Sequence, residues 1–308
     1  MAISPGAVKS TVIFRSTGLA THTRGLLITG TGVLVLTPDT LLLRLADLDV
    51  WTATFWRDLA LGLVLMLGIA VVHRRATIRV FLTMGWAGLG VAFLFGANGI
   101  LFVVAISNTG VANTLVIYAT APVFAALLSW IFLRERPSLQ LWLVIFLSCA
   151  GIAIVVWDGV GRGTLLGDLA ALFVAITMAG MFVILRAARA VNLIPATALG
   201  SLVAGLAVLG VASPLDVAWS SAGYVAAMGV FVLPISFALI TLGPRYLPAP
   251  EVSLLMLLET VLGPLWVWLV LSEEPPLLTV VGGAVVLATL AGHSAYQLHR
   301  NRASARAP

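Results

Sequence analysis

Apolar residues in this chain arrive in long unbroken runs, separated by short loops of Gly, Pro and charge. The runs are Leu26–Leu45, Val50–Val72, Val80–Ile106, Val111–Leu133 and Leu139–Trp157, then Leu166–Leu185, Ile194–Ala212, Ser221–Leu242, Ala249–Leu271 and Leu277–Leu298. A helix needs about 20 such residues to cross roughly 30 Å of hydrocarbon. Continuous apolarity without a period of two argues for helices and against the alternating strands of a lipid-facing barrel. The pattern predicts an all-α membrane protein of ten transmembrane helices.

Composition sharpens this picture. Hydrophobic residues make up 61% of the chain and charged residues 9%, against roughly 25% charged in a soluble domain. So few charges cannot build a water-facing surface, and lipid must be the main solvent. The formal charge of +5 would suggest nucleic acid in a soluble protein, but basic residues collect in the cytoplasmic loops of membrane proteins, so no nucleic-acid partner is expected. With the N-terminus in the cytoplasm, 14 of the 17 Lys and Arg residues fall inside, and only Arg44, Arg57 and Arg162 fall outside. Asp47, Asp49, Asp158, Asp216, Glu273 and Glu274 lie outside. This split predicts cytoplasmic N- and C-termini and an even number of helices. The segment up to Arg24 lacks the apolar core of a signal peptide, so the first run reads as a retained helix.

The chain also repeats itself. At an offset of 138 residues, Val111–Leu139 aligns with Ala249–Leu277, with Trp130/Trp268, Glu135/Glu273 and Pro137/Pro275 among the identities. Each half then holds five helices, and an odd number forces the halves to insert with opposite topology. Inverted repeats of this kind are the architecture of secondary transporters.

These residues carry a family resemblance. TGVANTLVIYATAPVFAALLSWIFLRERPS resembles the first EamA domain of the drug/metabolite transporter superfamily, PAPEVSLLMLLETVLGPLWVWLVLSEEPP resembles the second, and FWRDLALGLVLM is similar to the pattern at the second helix. The resemblance implies two EamA repeats, 25–158 and 159–298, between cytoplasmic tails 1–24 and 299–308. It also implies a central substrate cavity lined by helices 1, 3, 4, 6, 8 and 9, and export of amino acids, metabolites or drugs. The narrower likeness is to bacterial exporters of the aromatic amino-acid (YddG) type. Glu135, Glu273, Pro122 and Pro137 are architectural in this pattern, so it specifies fold more than substrate. Where the second repeat of the family reads Glu-Pro, this chain has Glu259-Thr260, which puts a kink at that point in doubt.

Polar groups inside the runs are the functional candidates, because intramembrane charge is costly. Glu259 lies roughly 14 Å into the ninth helix at 1.5 Å per residue, near the midplane. It reads either as a proton-coupling or amine-binding carboxylate, or as a protonated glutamate bonded between helices. Asp39 follows the kink expected at Pro38, at a depth matching Arg57 on the second helix. The two either pair, as an outer gate, or Arg57 snorkels to the interface. Thr37, Asn98, Tyr118, Thr177, Met178, Ser236 (after Pro234) and Met256 complete the expected cavity set, each weighed against ordinary packing. GVGRG at 159–163 has no Walker lysine or preceding strand and reads as a connector.

Cys149 is the only cysteine, and the four histidines show no ligand spacing, so no metal or cofactor is expected. No paired Asp, Ser/His or HExxH arrangement supports an intramembrane enzyme. Phosphorylated substrates need Arg or Lys partners, and their absence near the midplane disfavours a phosphorylated-metabolite antiporter. The reading is a monomeric secondary transporter in the inner (plasma) membrane. It exports small neutral or zwitterionic metabolites, hydrophobic or aromatic amino acids above all. Export of lipophilic cationic drugs, with Glu259 as counter-charge, is the alternative.

Overall fold

A computed structural model describes residues 18–157, 163–272 and 274–306. Lys9, Arg15, Asp158, Arg162, Glu273, the connector residues 159–162, residues 1–17 of the expected N-terminal tail and 307–308 of the C-terminal one lie outside the described residues, as do the side chains of Arg300, Arg302 and Arg306. Every regular element among the described residues is helical.

The first half comprises α1 (Gly18–Leu36), α2 (Asp39–Ala46), α3 (Val50–His73), α4 (Thr77–Thr83), α5 (Gly85–Thr109), α6 (Val111–Tyr118), α7 (Ala121–Leu128) and α8 (Leu139–Val155). The second comprises α9 (Leu165–Ala187), α10 (Ile194–Ala207), α11 (Trp219–Ala226), α12 (Leu233–Leu242), α13 (Ala249–Leu271) and α14 (Leu277–Arg306). Among the described residues, eight stretches are long and apolar enough to cross a membrane: Thr21–Ala46, Val50–Thr83, Gly85–Thr109, Val111–Leu133, Leu165–Ala187, Trp219–Arg245, Ala249–Leu271 and Leu277–Gln297. The remaining two runs form shorter apolar helices, α8 with 17 residues and α10 with 14. At 1.5 Å per residue α10 is only about 21 Å long. It stops at Ala207, short of the expected Ala212, because the chain turns over Val208–Ala212 ahead of Ser213 and Pro214. The third run begins at Gly85 rather than Val80. Thr77–Thr83 continues the second span, and Gly85, at φ +54°, turns the chain.

Several spans are broken rather than straight. Proline removes an amide donor and clashes with the preceding turn. The first span parts at Thr37–Pro38, into α1 and α2. The fourth parts at Ala119–Thr120, before Pro122, and ends in a π-helical turn over Ser129–Leu133. In the eighth, a π-helical turn over Ala227–Val232 leads into Leu233–Pro234. Helix α13 runs unbroken past Glu259-Thr260 and carries Pro264 inside it.

Helices approach closely where small residues meet, the usual solution where lipid offers no hydrophobic drive. A Cβ at Gly200 on α10 would lie 2.4 Å from the Ala92 carbonyl oxygen on α5, and one at Gly282 on α14 would lie 2.5 Å from the Gly151 oxygen on α8. The main packing pairs are α5 with α9, α3 with α10, α8 with α14, α5 with α10, α1 with α12 and α7 with both α9 and α13. Outside, Phe93, Ile131, Phe132 and Leu269 are bare, while Trp86 and Trp219 stand almost fully exposed near helix ends, as aromatic residues do at membrane interfaces.

Two helix ends match across the halves. The span Val111–Leu133 closes on Arg134 at φ +57°, ψ +20°, and Ala249–Leu271 closes on Ser272 at φ +57°, ψ +22°, both left-handed. They sit at opposite ends of the bundle. Glu135 pairs with Arg186 at the C-terminal end of α9. Glu274 instead borders a cleft with Val111, at the N-terminal end of α6.

Candidate functional site

The kink after α1 aims Asp39 inward. Asp39 begins α2 and is buried, and it accepts a hydrogen bond from the Arg57 guanidinium on α3. Arg57 therefore turns inward to a carboxylate instead of reaching outward alone. The pair is incomplete: Asp39 Oδ1 and Arg57 Nε are both buried without a hydrogen-bond partner. Glu259 on α13 lies within electrostatic reach of Asp39 and Arg57. It is half-buried and makes no hydrogen bond or ion pair among the described residues.

Asp58, which the sequence reading passed over, joins the group. It lies within electrostatic reach of Arg57 and Asp39. The Ser201 hydroxyl on α10 donates to its backbone carbonyl at 2.7 Å and to Oδ1 at 3.2 Å. One arginine thus serves three acids. Removing charge from water in a low-dielectric interior is costly unless it is paired, so this cluster is the most demanding point of the bundle. Its signal in the sequence was the Arg-Asp dipeptide in FWRDLALG: two charges inside one apolar run.

The other candidates fall into separate contacts. Thr37 bonds the Leu34 carbonyl at 2.8 Å and accepts from Trp266 Nε1 at 2.9 Å, tying the kink to α13. Asn98 donates to the Val174 carbonyl at 2.8 Å and to Thr177 Oγ1 at 2.9 Å, joining α5 to α9. The Tyr118 hydroxyl meets Met178 Sδ at 3.8 Å and lies within electrostatic reach of Glu259. Ser236 is buried and bonds back to the Val232 carbonyl within its own helix. Met178 and Met256 are buried in the main core cluster. The structure thus brings Asp39, Arg57 and Glu259 together and Tyr118 toward Glu259. It leaves Asn98–Thr177 as an α5–α9 bond and Ser236 and Met256 as packing.

A cleft of about 480 Å³ notches the same end of the bundle, lined by Thr40, Arg44, Val111, Val155, Thr260 and Glu274 among others. None of the candidate residues lines it. Asp39 and Glu259 are the immediate chain neighbours of its wall residues Thr40 and Thr260. Successive helical residues point about 100° apart, so these acids sit behind the wall. The space belongs to α2, α6, α8, α13 and α14, which lie in or form the first, fourth, fifth, ninth and tenth spans; three of these, the first, fourth and ninth, are among the six helices expected to line a central cavity.

A solved crystal structure superposes with a TM-score of 0.75 over 88% of this chain and 96% of that chain, at 17% identity. The likeness is one of fold alone. Among curated proteins, an uncharacterized transporter of Synechocystis, sll1319, is 38% identical over 73 residues, 23% of this chain. The match spans 22% of that protein's length. The model of the EamA-like transporter family matches residues 26–157 and again 165–294. With the two matches together covering nearly the whole helical bundle, the chain belongs to the EamA-like transporter family and is a multi-pass membrane protein.

Proposed function

We propose that this protein is a secondary transporter that exports small neutral or zwitterionic metabolites, hydrophobic and aromatic amino acids foremost, across the cell membrane by alternating access. The observation that carries this reading is the unfinished Asp39–Arg57 pair beside Glu259. A zwitterion offers what these groups lack: an ammonium for Asp39 Oδ1 and Glu259, and a carboxylate for Arg57. The cleft one residue away would be its vestibule, and the Asp39–Arg57 pair a gate that opens as the substrate replaces it. Glu259, free of any other bond, is the candidate for coupling.

In this reading all ten apolar helices cross the membrane, as repeats 25–158 and 159–298 of opposite topology, with both termini in the cytoplasm and one chain acting alone. Exchange of the halves supports it. Under the 138-residue offset, the α5–α9 contact maps onto α12–α1, and α7–α9 onto α13–α1; all four pairs are in contact. The left-handed caps at Arg134 and Ser272 stand at opposite ends. The chief rival is export of a lipophilic cation, which the unbonded Glu259 would also suit.

The test is uptake of labelled Trp, Phe, Leu and Thr into proteoliposomes. Saturable uptake with an aromatic preference, lost by at least tenfold in a folded Glu259→Gln variant, is the expected result. Inhibition by quaternary ammonium compounds with no amino-acid uptake would favour the rival. Equal transport of a sugar phosphate and an amino acid would overturn both.

A further inference from the structure

At the end of the bundle away from the cleft, three titratable side chains from three helices meet. His22 on α1 places Nε2 2.8 Å from Glu251 Oε2 on α13, and His293 Nε2 on α14 lies 4.0 Å from the other oxygen, Oε1. Their side chains are 16%, 8% and 6% exposed. Both ring nitrogens of His293 and Nδ1 of His22 are buried without a hydrogen-bond partner. A buried imidazole with neither nitrogen bonded is costly and is unusual in a native interior. The midplane cluster does not involve these residues.

The neighbourhood makes the cluster self-contained. Within electrostatic reach of His293 are Glu251 and His22. Of the other titratable groups on the packed elements, Arg24 stacks over the Tyr246 ring at 5.2 Å, and Arg245 donates to the Val191 carbonyl. The Cys149 thiol on α8 meets the Ala119 carbonyl, and Tyr296 on α14 is half-exposed. Glu251 lies in the first turn of α13, where the unpaired amides favour a negative charge. No three His, Cys, Asp or Glu among the described residues are arranged to hold a metal, and the direct 2.8 Å contact leaves no room for one.

We propose that His22, Glu251 and His293 form a proton-binding latch, the proton lying between His293 Nε2 and Glu251 Oε1. With the proton absent, His22 donates to Glu251, and His293 has only a 4.0 Å approach. When His293 takes a proton from water, its Nε2–H becomes a charged donor aimed at Oε1. The 4.0 Å gap then closes to hydrogen-bond length, and α1, α13 and α14 are pinned at this end. Loss of the proton returns it to water and releases α14. Histidine is the side chain whose charge changes within the ordinary range of cellular pH. The latch rests on the alternating-access reading for its consequence, which is pH-dependent opening of this end, but not for the proton site itself.

Two measurements separate these claims. Nitrogen-15 histidine NMR of the purified full chain, assigned with single variants of the four histidines, should show His293 titrating. That titration should move by at least half a pH unit in Glu251→Gln, and His22 should report on it. A His293 ring held in one protonation state from pH 5 to 8.5, or one that titrates identically in Glu251→Gln, overturns the site. In proteoliposomes, the pH profile of uptake should flatten in His293→Gln. A titrating His293 with an unchanged uptake profile would overturn the latch as a regulator of transport. Absence of any amino-acid uptake would count against the substrate reading alone.

Discussion

Removing the two partners of the Asp39–Arg57 pair should cost very different amounts. The Asp39 side chain is 5% exposed, whereas Arg57 is 24% exposed. In Arg57→Leu, the carboxylate of Asp39 is left in a dry site with both oxygens unpartnered, and Asp58 and Glu259 lose the Arg57 charge within their reach. Breaking a buried pair from one side costs about 3–5 kcal/mol. In Asp39→Asn, the guanidinium keeps Asp58 and Glu259 within reach and part of its surface open, so the loss should resemble that of a neutral hydrogen bond, about 1 kcal/mol. The double variant carries neither charge and should cost about 1–2 kcal/mol, well below the sum of the single losses. The coupling is then about 3–4 kcal/mol, at or just above the top of the range for residues in contact. The assay is a double-mutant cycle on reversible unfolding in mixed detergent micelles. Equal costs for the two single variants, or strict additivity in the double, would refute the claim that Asp39 is the trapped member of the pair.

Two further outcomes follow from local geometry. Gly200→Ala should destabilise by about 1–3 kcal/mol as an overpacked contact, because its new methyl meets backbone at 2.4 Å. Gly223→Ala on α11, with nothing within 4 Å, should be neutral or stabilising in the same melt. Asp49 caps α3, accepting from the Trp51 and Thr52 amides at 3.0 Å, so Asp49→Ala should cost about 1 kcal/mol. Slight burial pushes the Asp49 carboxyl up, but the Thr52 and Trp51 bonds outweigh it and hold it below the ordinary carboxylate range. The cap's contribution is therefore complete above the unfolded carboxyl's pKa and fades as pH falls through the lowered folded value. A Tm difference between wild type and Asp49→Ala that stays constant into strongly acid buffer would contradict this.

The apolar runs located the helices well, because a helix in lipid must satisfy its own backbone and needs little from its neighbours. Runs lying behind other helices were harder to delimit. Leu139–Val155 and Ile194–Ala207 are shorter than their runs: α8 ends two residues before Trp157, and α10 gives way to the turn over Val208–Ala212. The intramembrane charges were visible as violations of the pattern; by the helical rise Asp39 and Arg57 could be placed at matching depths and Glu259 near the midplane. Asp58 was overlooked because it stands next to Arg57 in the chain and reads as its counter-charge, whereas in space it faces Ser201 on α10. The histidines show the limit more plainly. His22, Glu251 and His293 are separated by 229 and 42 positions, so no spacing rule connects them. Only the packing of α1, α13 and α14 makes them one site.

That packing also links the two ends of the molecule. The cleft takes Thr40 and Arg44 from α2, Thr260, Pro264 and Val267 from α13, and Thr279 from α14. The His22–Glu251–His293 cluster takes the opposite ends of the same three spans. Between them the first span breaks at Thr37–Pro38, and α13 carries Pro264, which forfeits a backbone bond within the helix. Trp266 reaches from α13 to Thr37 at that break, so a tilt of one span is felt by the other at its weakest point. Under the alternating-access reading, pinning α1, α13 and α14 together at the histidine end favours their separation at the cleft end. Release of the proton then permits the reverse tilt. The charged cluster of Asp39, Arg57, Asp58 and Glu259 lies between the two, close to the pivot. A substrate that completes the Asp39–Arg57 pair there would act on the equilibrium through its differential affinity for the two tilts, the only means by which a ligand can shift a conformational balance.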